Sequence, residues 1–233
     1  MLGGPQNWVS GYETTRRRIA AAAERHGRTV DSITLLGVSK GQPAAAIAAL
    51  AQLGLWDIGE NYLQEALEKM ASVGERDLTW HFIGHLQSNK TRVVAERFHW
   101  VHAVDRLKIA ERLSAQRPFH GAPLNVCLHV NIAAEPGKGG VAPAELEPLA
   151  AAVAQLPRLR LRGLMCLPPA ETSFDRQRHW FDATRALYDA LNAKGMKLDT
   201  LSMGMSADLE AAIAAGATIV RVGTALFGPR PAA

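Results

Sequence analysis

The sequence predicts a single (β/α)8 barrel over residues 1–233, and three observations carry that expectation. Eight short β-branched runs recur along the chain, amphipathic segments separate them, and no Gly-rich dinucleotide fingerprint follows the first run. The strands are expected in "ITLLGVSK" from Ile33, "LWDIGEN" from Leu55, "TWHFIG" from Thr79 and "HWVHAVD" from His99. Four more are expected in "LNVCLHVNI" from Leu124, "LRLRGLMCL" from Leu159, "TLSMG" from Thr200 and "IVRVGTALFG" from Ile219. Helical spacing is clearest at Leu146, Leu149, Ala150 and Val153, and again from Trp180 through Phe181, Thr184, Leu187 and Tyr188 to Leu191. A further helix, residues 7–26, precedes the first strand. Right-handed βαβ units make such strands parallel, and eight of them close a barrel. The alternative, an open doubly wound sheet, calls for a Gly-rich turn that "GVSKGQP" does not supply.

Composition narrows the function classes. The chain is 48% hydrophobic and 21% charged, with no apolar run of bilayer-spanning length, so a membrane protein is not expected. The start, "MLGGPQNWVS", has no basic segment followed by an apolar one, which predicts a cytoplasmic protein. Cys127 and Cys166 are far apart and lie in apolar runs, as reduced core residues would. The net charge of +4 suits an anionic ligand, but the basic residues are scattered apart from "TTRRR" and "RLRLRG", and nothing points to nucleic acid.

Chemistry in such barrels gathers at the carboxyl ends of the strands. There the sequence places Ser39 and Lys40, Glu60 and Asn61, then Gly84, His85 and Gln87. Later strands contribute Asn131 with Lys138 in the next loop, Met165, the run Ser202 to Ser206, and Arg221. Loops after strands seven and eight commonly hold a phosphate, and Gly204 with Ser206, and Gly223 with Thr224, offer hydroxyls and open backbone N–H groups beside helix starts. Turn formation and N-capping before "ADLEAAIAAG" would equally use these residue types. Lys40 closes an apolar strand; desolvation at a barrel mouth would lower its pKa and make a Schiff-base amine accessible. A lysine beside a phosphate site suggests pyridoxal 5′-phosphate (PLP). The competing reading is a strand-end lysine snorkelling to water.

The runs "GVSK", "GENYLQEALEK", "WHFIGHLQSNK", "NVCLHVNIAAEPGKGG", "LRGLMCLP" and "LSMGMSADLEAAIAAGATIVRVGTALFG" together resemble the YggS/PROSC family of PLP homeostasis proteins, from the amino-terminal helix to "LFG". The resemblance implies the barrel half of alanine racemase without a second domain, binding PLP without established turnover. It implies Lys40 as the Schiff-base lysine, Asn61 beside the cofactor ring, and Ser206, Gly223 and Thr224 on the phosphate with Ser202 close by. Arg221 would face the pyridine nitrogen and Met165 would form an apolar wall. A guanidinium only donates, so that nitrogen would be an unprotonated acceptor and the ring a poor electron sink. Without a cofactor, Arg221 would be an interior residue paired with a carboxylate. The chain departs from the family at Gln42, where a second lysine is frequent, and at His85. Lys138 matches a family loop lysine; a second PLP contact and a solvated loop residue both remain open for it.

Other groups carry less. His81 and His85 bracket a strand end, roughly 13 Å apart if extended, which is too far for a metal pair. Glu65 is expected on the helix after Glu60, facing solvent or pairing with Lys69 at i+4. "SNKTRVVAER" lacks aromatics for base stacking, and the aromatics of "HWFDATRALY" fit core packing. Three functions follow: a PLP reservoir that stores, buffers or delivers cofactor; a racemase-like PLP enzyme, whose opposite-face base would have to be Tyr62; and a cofactor-free Schiff-base lyase acting on a sugar phosphate. The first is favoured, with PLP as ligand, PLP-dependent apoenzymes as candidate recipients and a monomeric barrel.

Overall fold

The computed structural model describes residues 5–74 and 76–229. Eight parallel strands form one closed barrel, in chain order, with β8 returning to pair with β1. They are β1 (Thr34–Val38), β2 (Asp57–Glu60), β3 (Thr79–Phe82), β4 (Trp100–Val104), β5 (Leu124–Val130), β6 (Leu159–Cys166), β7 (Thr200–Ser202) and β8 (Ile219–Val222). Each lies inside a run predicted from the sequence. Helices α1 (Pro5–Arg25), α2 (Ala44–Ala51), α3 (Leu63–Val73), α4 (Thr91–Arg97), α5 (Leu107–Gln116), α6 (Leu146–Ala154), α7 (Phe174–Ala193), α8 (Leu209–Ala214) and α9 (Thr224–Phe227) cover the strands or close the barrel ends.

Two boundaries differ from expectation. The amino-terminal helix begins at Pro5 and ends at Arg25, stopped by Gly27 in the left-handed region (φ 65°). The last strand ends at Val222 because Gly223, at φ −110° and ψ −83°, leaves the extended region, and "TALF" coils into α9. That turn folds the chain back onto α1: a side chain at Gly11 would strike the carbonyls of Ala225 and Leu226. Arg18 of α1 adds a pair of bonds to Glu210 (2.7 and 2.9 Å) and one to the Ser206 carbonyl (2.9 Å).

The core is the apolar layer between barrel and helices, including Leu35, Ile47, Leu50, Ile58, Phe98 and Phe181. Phe181, Thr184 and Leu191 are the buried members of the aromatic stretch on α7, while Trp180 is half-buried. On α4 the buried side chains are Thr91, Val94 and Ala95, so its basic residues form a solvated face. Cys127 and Cys166 are buried and unpaired; desolvation raises their thiols to about 12 and about 11, which keeps both inert. Among the described residues no helix is long and apolar enough to cross a membrane.

β6 carries a bulge that the sequence pattern did not announce. The partners of Val126 and Cys127 are Leu161 and Gly163, so Arg162 is an extra residue in the ladder. Its side chain turns to Asp199 (2.8 Å) and Asn125 (3.0 Å), and the backbone of Gly163 lies against the Thr200 carbonyl with no room for a Cβ. Gly163→Ala is expected to force β6 from β7 and lower stability by about 3 kcal/mol, read as an earlier midpoint in urea denaturation followed by circular dichroism.

Candidate functional site

Barrel closure brings the ends of β1 and β8 side by side. Lys40 follows β1, and with Val38, Gln42, Gly223, Thr224 and Gly228 it lines one crevice. Its Nζ stands 5.6 Å above the ring of Tyr62, and among the described residues it has no carboxylate partner. Gly41 turns the chain immediately afterwards at φ 70°, a conformation that disfavours any side chain.

The backbone on both sides of Lys40 is held from below. Lys69 of α3, buried, donates to the carbonyl of Ser39 (2.5 Å), to Glu60 (2.6 Å) and to Glu65 (2.6 Å), using all three of its protons. Glu65 in turn accepts from the amide of Gly41 (2.5 Å), and the Ser39 hydroxyl donates to Glu60 (2.5 Å). Glu65 therefore pairs with Lys69, one of its two expected arrangements. Glu60 faces the helix layer, fully buried, and its second oxygen finds no partner among the described residues; desolvation raises its carboxyl above the usual range against the pull of Lys69 and Ser39.

Across the mouth, a cavity of 570 Å³ is lined by Asn61, His85, His129, Lys138, Met165 and their neighbours. Asn61 is half-buried, and its backbone lies so close to Gly84 that only glycine fits there. Met165 is 1% exposed and lines this cavity. His129 is pushed down to about 4 by desolvation and by Arg221, which leaves it neutral. Lys138 pairs with Glu135 (2.5 Å) on the loop after β5.

The two small-residue loops meet. Ser206 does not cap α8; Asp208 precedes that helix and accepts from the amide of Met205 (2.6 Å). The Ser206 hydroxyl instead accepts from the amide of Ala225 (3.4 Å), joining the loop after β7 to the start of α9 beside Gly223 and Thr224. Gly204 adopts φ 94° with Ala212 packed beneath it.

Arg221 is buried inside the barrel and has no carboxylate partner among the described residues. Its Nη1 donates to the carbonyl and hydroxyl of Ser202 (2.5 and 2.9 Å), and its Nη2 to the carbonyl of Cys166 (2.9 Å). Nε has no protein acceptor among the described residues, so the guanidinium retains an unused donor. A chain of buried imidazoles, His102 and His81, continues from Ser202 (2.8 and 2.9 Å) to Asp57 (2.9 Å). Sequence spacing set His81 and His85 too far apart to act as a pair; the barrel brings His81 against His102 on the neighbouring strand, 21 residues away.

This donor set fits a phosphorylated aromatic aldehyde: one amine without a carboxylate partner, two open loops joined by a hydroxyl, an apolar wall and a permanent cation with a free N–H. Residues 15–231 match the family model of the alanine racemase N-terminal domain. The chain is 57% identical to a pyridoxal phosphate homeostasis protein of Pseudomonas aeruginosa, covering 91% of each, and 52% identical to one of Escherichia coli K12, covering 92% of this chain and 93% of the relative. PipY of Synechococcus elongatus, solved with PLP bound, superposes with a TM-score of 0.80 at 39% identity over 90% of this chain and 100% of PipY. An alanine racemase of Clostridium difficile shares the fold at TM-score 0.76 and 17% identity, with 97% of this chain matching 58% of it. The chain belongs to the pyridoxal phosphate homeostasis proteins, built on the alanine racemase N-terminal barrel.

Proposed function

We propose that the barrel binds PLP reversibly and serves as a non-catalytic reservoir that buffers the cofactor or passes it to PLP-dependent apoenzymes, as a monomer in the cytosol. The observation that carries the reading is the meeting of Lys40 with Gly223 and Thr224 in one crevice, although they stand at opposite ends of the chain. Lys40 Nζ would supply the primary amine for a reversible Schiff base with the PLP aldehyde. Lys69 cannot take that role, because its protons are committed and its side chain is shut away. Ser206, Gly223 and Thr224 would hold the phosphate, Asn61 and Met165 would flank the ring, and Ser202 steadies Arg221, whose guanidinium would face the pyridine nitrogen. A donor-only partner keeps that nitrogen unprotonated, which suits retention over carbanion chemistry.

Tyr62 is the residue that a racemase reading would need as second base. Its ring lies beside the Lys40 amine and is 59% exposed, which favours solvent contact over an enclosed proton transfer.

Added PLP is expected to give a visible absorption band, and borohydride followed by peptide mass mapping should find the label on Lys40; a band without label on Lys40 would remove the reading. Alanine in deuterated water should keep its α-proton in the presence of the loaded protein, followed by proton NMR. Exchange that disappears in Lys40→Ala would move the chain to the enzymes. Lys69→Met leaves Glu60 as a buried, unpaired carboxylate and is expected to cost about 3 kcal/mol in urea denaturation, with weaker PLP binding as the Ser39–Gly41 backbone loosens.

A further inference from the structure

Four hydrogen bonds lie end to end inside the barrel. Arg221 Nη1 meets Ser202 Oγ at 2.9 Å, Ser202 Oγ meets His102 Nδ1 at 2.8 Å, His102 Nε2 meets His81 Nδ1 at 2.9 Å, and His81 Nε2 meets Asp57 Oδ1 at 2.9 Å. The participants come from β8, β7, β4, β3 and β2, so the line crosses the interior from the carboxyl end of the strands to the first residue of β2. Arg221, Ser202, His102 and His81 are buried, whereas the Asp57 side chain is 28% exposed.

The direction of every bond follows from its two ends. A guanidinium donates only, so Ser202 Oγ accepts from Arg221 and has its single proton to give to His102 Nδ1. His102 then carries its proton on Nε2 and donates to His81 Nδ1, and His81 donates from Nε2 to the Asp57 carboxylate. Each donor and acceptor is used once with both imidazoles neutral. Reversing the line would strand the serine proton and set a bare His81 nitrogen against a carboxylate, unless His81 became a buried cation. Desolvation lowers the pKa of both rings, which disfavours that cation. Trp100 stacks on His81 at 5.4 Å and 8° and holds its plane. The line does not conduct protons, because Arg221 does not release one.

We propose that His102, oriented by His81 and Asp57, is a positioning residue that fixes the rotation of the Arg221 guanidinium through the Ser202 hydroxyl, and thereby its presentation to the pyridine nitrogen of PLP. The last clause rests on the PLP reading of the site. The bond directions stand without it.

The test uses the full chain. Long-range proton–nitrogen NMR of the unloaded, 15N-labelled protein near neutral pH is expected to show His81 and His102 both protonated at Nε2 only. An Nδ1–H form or an imidazolium at either ring overturns the relay whatever PLP does. His102→Leu is expected to weaken PLP binding about ten-fold and to shift the absorption maximum of the bound cofactor. His102→Gln, whose amide can accept from Ser202 and donate to His81, should restore both and covers failure of the leucine variant to fold. Unchanged affinity and spectrum in folded His102→Leu overturn the positioning role. No PLP binding by the wild-type chain overturns the pyridine-directed role together with the reservoir reading, while the NMR result still decides the bond directions.

Discussion

Pairing of β1 with β8 is the constraint on which the rest of the site depends. Register partners from Thr34 with Ile219 to Gly37 with Val222 fix the two strand ends at one level. Lys40 and Thr224 then emerge beside one another although nearly the whole chain separates them. The other site residues follow from the same closure: Asn61 and Met165 stand across the mouth, and Arg221 projects into an interior that exists only once the sheet is shut.

Buried cations are stabilised in two different ways. Lys69 sits against two carboxylates and a carbonyl, so its charge is neutralised where it lies. Arg221 and Arg117 are solvated by carbonyl dipoles: Ser202 and Cys166 for the first, Ala95 (2.6 Å), Phe98 (2.8 Å) and Ala122 (2.9 Å) for the second. A lysine that had to react would be silenced by the first arrangement. Lys40, with an aromatic face as its neighbour, is under neither restraint.

The strands were legible because each is a short β-branched run ending in a polar or small residue, and Lys40, Asn61, Met165, Ser206, Gly223 and Thr224 were legible as those ends. Periodicity carries no record of what lies across a barrel. His81 and His102 meet because β3 and β4 are neighbours, and Ser202 joins them across the interior, so no sequence interval announces the relay. The carboxylate that the cofactor-free alternative would set beside Arg221 is absent among the described residues; carbonyls near the strand ends accept from it instead. Lys69 looked like one half of a surface i,i+4 pair; only its burial against Glu60 distinguishes it. The bulge at Arg162 escaped notice because the alternation of Leu159, Arg160, Leu161 and Arg162 reads as an ordinary strand.

The contact between α1 and the last turn of the chain has a practical consequence. Gly11 rests on the carbonyls of Ala225 and Leu226, and Arg18 grips the Ser206 carbonyl, so the first helix is the outer buttress of the loops that follow β7 and β8. An affinity tag, a fusion joint or a shortened amino end therefore alters those two loops from outside. Variants meant to leave recognition intact are better engineered on the outward faces of α4 or α7.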